Sequence, residues 1–143
     1  MAIFKTAMTG GMLLLLSGCV TSSPNQSAGT PSSCAVGEIL TQSTLYFGLN
    51  RPKGPQVTAA EWQQFVDGEI TPRFRDGLTI VNASGQWLGH DGKLAQEPSK
   101  TVMLIHATDA ESSYKIEALR RLYQSRFDQD SVMRVDNKAC VAF

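Results

Sequence analysis

Two short segments, Thr58-Ala59-Ala60-Glu61 and Thr108-Asp109-Ala110-Glu111, each set a hydroxyl three residues ahead of a carboxylate. At that spacing the hydroxyl accepts from a free amide of a first helical turn while the carboxylate reaches back to the capping residue's own N–H. Each segment is therefore a capping box and marks where a helix must begin. Val57 and Trp62 flank the first box as a hydrophobic staple. Trp62, Phe65, Val66 and Ile70 then recur on one face, and Pro72 disfavours helical geometry at Thr71, so the first helix is predicted to stop nearby. In the second helix Ile116, Leu119, Tyr123 and Phe127 form the apolar stripe, which predicts an end near Phe127.

Strands fill the remaining chain. Residues 44–49, where Leu45, Phe47 and Leu49 alternate with Tyr46 and Gly48, read as the first. Asp76-Gly77 turns into residues 78–83, whose β-branched Thr79, Ile80 and Val81 read as strand, and Ser84-Gly85 is expected to bulge this strand before Trp87. His90-Asp91-Gly92-Lys93 reads as a hairpin tip. The returning strand reaches residues 101–107, where Val102-Met103-Leu104-Ile105 lacks polar alternation and predicts a central strand covered on both sides. Residues 131–135 form the last long strand, and 140–143 either extend it or make a short separate piece. Strand, helix, two strands, helix, strand is the order of an α+β, ferredoxin-like βαββαβ two-layer sandwich, with an antiparallel sheet and two helices on one face. In that topology the last strand lies antiparallel beside the first.

Ahead of this domain lies an address. Residues 1–18 carry one charge, Lys5, then an apolar stretch strongest at 12–16, then small residues before a cysteine, which is a secretory signal pattern. The stretch falls short of the roughly 20 apolar residues that a spanning helix needs. Leu16-Ser17-Gly18-Cys19 looks like the lipobox of bacterial lipoproteins, whose small residues fit the signal peptidase and whose thiol takes a diacylglycerol. An ordinary secretory signal would leave Cys19 a free thiol instead of a thioether. Val20 stands where an Asp retains many lipoproteins at the inner membrane. The expected address is therefore the bacterial cell envelope at the outer membrane, facing the periplasm, with the lipid bilayer as partner of acylated Cys19. Residues 19–33 are uncharged and mostly small, the composition of a flexible tether, and 34–143 form one globular domain. An oxidising envelope favours a bond between Cys34 and Cys140; two separate buried thiols are the alternative.

The stretches Leu45-Tyr46-Phe47-Gly48, Thr71-Pro72-Arg73-Phe74-Arg75-Asp76-Gly77-Leu78-Thr79 and Gly85-Gln86-Trp87 are distinctive in combination with Pro98-Ser99-Lys100 and Ser131-Val132-Met133-Arg134-Val135. Together they resemble an uncharacterised family of small bacterial envelope lipoproteins, departing from its pattern at Arg75, where Pro is familiar. The resemblance spans residues 34–143 and implies a domain of unknown function, with no catalytic residue to carry over.

With 13 basic and 13 acidic side chains and 42% apolar residues, the chain is expected to fold around a real core and to lack the basic surface of a nucleic-acid partner. His90 and His106 belong to no catalytic motif, no serine sits in a Gly-x-Ser-x-Gly elbow, and no paired Cys or His spacing suits zinc, so neither metal nor cofactor is expected. The candidate ligand or catalytic residues are His106, Tyr46, Arg134, Arg73, Glu97 and Lys100, several of them at strand ends beside apolar neighbours. Ordinary surface ion pairs are the plainer account of their charges. Arg73 with Arg75 offers forked donors for a carboxylate or phosphate, and Gly48 leaves room on its face of the first strand for a ligand or another backbone. The leading expectation is a noncatalytic module whose sheet face binds a second copy as a homodimer, another envelope protein or a small ligand. A small enzyme with His106, Tyr46 and Arg134 around one pocket, and a structural spacer, are the alternatives.

Overall fold

The computed structural model describes residues 33–88 and 92–143. The expected signal peptide, the lipidation site Cys19, nearly all of the tether and the hairpin residues His90 and Asp91 lie outside them. Four strands and two helical stretches follow one another as β1 (Glu38–Gly48), α1 (Ala59–Phe65), a π-helical turn (Val66–Ile70) leading into α2 (Thr71–Arg73), β2 (Leu78–Leu88), β3 (Leu94–His106), α3 (Ala110–Phe127) and β4 (Met133–Val141). The sheet order is β2-β3-β1-β4, and every neighbouring pair is antiparallel.

The first capping box forms as expected, with Thr58 accepting from the Glu61 amide and Glu61 reaching back to the Thr58 amide. Thr71 keeps helical geometry despite Pro72, and the helical stretch ends two residues on at Arg73, near the expected stop. The Thr71 amide bonds back to the Val66 carbonyl, closing a widened turn, and Pro72 then enters at the start of a fresh short helix, where its missing N–H leaves no bond unmade. The second helix is capped one residue later than expected: Asp109 accepts from Ser112, while Thr108 Oγ1 lies 2.6 Å from Thr41 Oγ1.

Strand parity decides what each residue faces. On one face of the sheet Leu45, Phe47, Val102 and Leu104 are fully buried. Phe47 meets Trp62 of α1 at 5.4 Å and Tyr123 of α3 at 4.7 Å between ring centroids, both edge to face, so both helical stretches cover that face. Trp62 is thus core. Two expectations about the strands fail here. Ser84-Gly85 makes no bulge, because β2 and β3 keep one register from Leu78↔Leu104 to Leu88↔Leu94. β3 is central, yet Met103 and Ile105 point to the opposite face and stay partly exposed, since no helix is left to cover that side. Val81, Trp87, Met133 and Val135, each at least 40% exposed, share that open face.

β4 runs unbroken to Val141, merging the two expected pieces, and pairs with β1 so that Ile39 lies opposite Cys140. Cys34 and Cys140 are bonded, with 5.5 Å between their Cα atoms.

Candidate functional site

The candidate residues do not gather in one place. Tyr46 lies on the open face, whereas His106 and Arg134 lie on the helix-covered face, their registers putting them in line with Thr41 and Leu45. The expected pocket shared by His106, Tyr46 and Arg134 is therefore not formed within one chain, because the sheet stands between its members. Arg73 sits on α2 and binds Glu69 through its carboxylate at 2.8 Å and its carbonyl at 2.6 Å, and Glu69 also pairs with Arg126 at 2.6 Å. Arg75 turns back to the Pro72 carbonyl. The forked anion grip is thus spent on the chain itself. Lys100 reaches across to Asn82 of β2.

His106 and Arg134 do meet, through two residues that sequence reasoning missed. Ser43 Oγ is 2.8 Å from His106 Nε2 and donates to Asp136 Oδ1 at 2.6 Å. Arg134 grips Asp136 through Nε and Nη2 at 2.9 and 2.8 Å and reaches Glu117 and Ser113 of α3. Partial burial would raise the Asp136 carboxyl, but its hydrogen bonds from Arg134 and Ser43 outweigh it and hold the group below its ordinary value. Asp136 in turn raises Arg134. Serine, histidine and aspartate occur together here in the wrong order for nucleophilic catalysis. A relay needs histidine between the hydroxyl and the carboxylate, whereas Ser43 stands between them, fully buried, and His106 Nδ1 faces the Ala107 carbonyl at 2.8 Å. What this network does is fasten β1, β3, β4 and α3 at one end of the sheet. Its signal in the sequence is parity: Ser43 is a polar residue on the inward row Thr41, Ser43, Leu45, Phe47.

The open face carries a cavity of about 740 Å³ where β2 and β3 run on past the end of β1. Tyr46, Trp87 and Met133 line it together with Glu97, Ser99 and the turn that follows α3. The end of β1 needs Gly48. A Cβ there would come within 2.5 Å of Glu97 Oε1, so the missing side chain is what lets the carboxylate lie against the strand. The backbone amide of Asn50 donates to Glu97 Oε2 at 3.1 Å. Beneath, Tyr123 donates through the sheet to the Gly48 carbonyl at 2.7 Å, and burial first, then the Glu97 charge, pushes its phenol up. Gln129 fixes the opposite wall by donating to the carbonyls of Asn50 and Phe127. Of the candidates, Tyr46 and Glu97 are the two brought together here. Trp87 and Met133 are not among the site residues expected from the sequence, although Trp87 belongs to the distinctive Gly85-Gln86-Trp87 stretch. Among the described residues no group of three or more His, Cys, Asp or Glu side chains is placed to hold a metal ion.

A family model described as a protein of unknown function (DUF3574) matches residues 42–143. No curated protein matches the chain. Among solved structures the chain is similar to a phage SAM lyase in complex with S-methyl-5'-thioadenosine, at 19% identity over 71% of this chain and 90% of that one, with a TM-score of 0.53. The same lyase in its apo state gives 19% identity, 72% and 90% coverage, and 0.52. CutA from Synechococcus elongatus gives 13% identity, 71% and 78% coverage, and 0.47. At these identities the lyase likeness is one of fold alone.

Proposed function

The chain belongs to this family of proteins of unknown function, and on that premise we propose that it is a lipoprotein of the bacterial envelope whose domain is a noncatalytic binding module. Cys19 carries the lipid, residues 19–33 are the tether, and the domain faces the periplasm from the outer membrane. We read the domain as a ferredoxin-like sandwich; the pairing of β4 with β1, and of β3 with both β1 and β2, supports that reading. The observation that carries the function is the cavity on the open face, walled by Tyr46, Trp87 and Met133. Its volume lies in the range of small-molecule sites, and the uncovered sheet gives it an entrance. With the relay order broken at Ser43 and Tyr46 held apart from His106 and Arg134, the geometry favours binding over acid–base chemistry.

Native mass spectrometry of the fragment from Cys34 to Phe143, secreted into an oxidising compartment, tests the binding role. A retained small molecule that Trp87→Ala abolishes is the expected result. Bare protein, together with no thermal shift on screening small metabolites, would overturn it. The anchor is tested separately: palmitate labelling of the full chain should vanish in Cys19→Ala, and labelling that persists would refute lipidation there.

A second reading rests on the exposed apolar row Val81, Trp87, Met133 and Val135, which a second copy of the chain would cover. Sedimentation showing a dimer that Val81→Lys dissociates would favour it over a free ligand face.

A further inference from the structure

We infer that the cavity on the open face selects an organic cation, an ammonium group carrying an apolar or aromatic body. This deepens the binding-module reading and rests on it. The charge beside Trp87 comes from Glu97, and Asp128 and Asp130, on the turn that follows α3, line the same cavity. The Glu97 side chain lies inside the cavity, seated against Gly48 with one backbone amide as its hydrogen-bond partner, and among the described residues no Lys, Arg or His pairs with its carboxylate. Glu61, Glu69, Glu117 and Asp136, by contrast, are each paired with arginine. No Lys or Arg lines the cavity, so an anion entering it meets only like charge.

The walls suit the same ligand. Register places Glu97 opposite Gly85 and Ala95 opposite Trp87, so Trp87 is the diagonal neighbour of Glu97 on one face, within reach of a shared ligand. An aromatic face attracts a cation through its quadrupole, and Trp87 is left 49% exposed where it can present one. Tyr46 and Met133 supply apolar surface for the ligand's body, and Ser99 a hydroxyl acceptor for an ammonium proton.

Three probes that share a phenethyl body separate charge from shape: phenethylammonium, phenethyl alcohol and 3-phenylpropanoate. Binding to the full chain in detergent micelles is followed by saturation-transfer NMR and by Trp87 fluorescence, with Trp87→Phe as the blank. The cation is expected to bind on the order of tenfold more tightly than the alcohol, and the anion more weakly than either. Glu97→Gln keeps an acceptor for the Asn50 amide, so the fold should hold, as checked by circular dichroism, while the cation loses most of its advantage over the alcohol, the remainder coming from Asp128 and Asp130. Gly48→Ala should do the same by displacing the carboxylate. If the alcohol or the anion matches the cation, or Glu97→Gln leaves the preference intact, the cation inference is overturned and the binding module stands. If none of the three reaches the cavity, both fall together.

Discussion

Breaking the bond between Cys34 and Cys140 should destabilise the domain more than almost any other double substitution. The two cysteines are 106 residues apart in sequence, so the bond closes almost the whole domain into a loop. For a loop of about 100 residues, chain entropy removed from the unfolded state amounts to about 4.7 kcal/mol. Pairing of β4 with β1 holds Cys140 opposite Ile39, five residues from Cys34, so the native fold itself brings the two ends of the domain together. Urea unfolding of the fragment from Cys34 to Phe143 is the assay, comparing the oxidised protein with the Cys34→Ala, Cys140→Ala double variant. With a slope of about 1.5 kcal/mol per M for a domain of this size, the midpoint should fall by about 3 M. The slope should also rise, since an unfolded chain freed of its crosslink exposes more surface. A midpoint change below about 0.5 M at unchanged slope would refute the loop-entropy reasoning and would mean that sheet pairing alone confines the two ends.

Two further outcomes follow from the site and the caps. Ser43→Ala removes the hydroxyl between His106 and Asp136 and should cost about 1 kcal/mol in chemical denaturation, the value of a hydrogen bond to a charged group discounted for the partly exposed Asp136; a change within about 0.3 kcal/mol would show that water replaces it. The Thr58 amide first, then Arg51, lowers the Glu61 carboxyl from its ordinary 4.5 to about 2. A depressed carboxyl contributes stability that is present above pH 4.5 and lost as pH falls towards 2, so denaturation midpoints should decline across that window and Glu61→Gln should flatten the decline. Parallel profiles for the two proteins would count against it.

Much of the site was within reach of parity arguments and was lost for want of a partner residue. Gly48 was legible as a vacancy on one face of its strand, because a glycine inside an apolar alternation has few other reasons to stand there. What fills the vacancy is Glu97, and that depends on the β1–β3 and β2–β3 registers, which bring Gly48, Ser99, Gly85 and Glu97 into one neighbourhood. The grouping of His106 and Arg134 with Tyr46 failed for the complementary reason. All three are polar residues on neighbouring strands, but side chains alternate with a period of two, and Tyr46 is one step out of phase with the row of Leu45 and Phe47.

By itself the sequence determined the elements and their order. Capping boxes act within one turn of chain, and the apolar stripes of α1 and α3 and the alternation of β1 are set by local periodicity, so each could be read without knowing what it would touch. Pro72 was the local exception, absorbed by a widened turn. Tertiary structure alone decided the rest: that both helices cover one face and leave Met103, Ile105 and Trp87 on the other, that Ser43 stands between His106 and Asp136, and that the hairpin arm overshoots β1 to open a cavity beside Glu97. These are pairings between residues far apart in the chain. Their geometry follows from strand order and register, which are settled only when the whole core packs and local sequence does not record them.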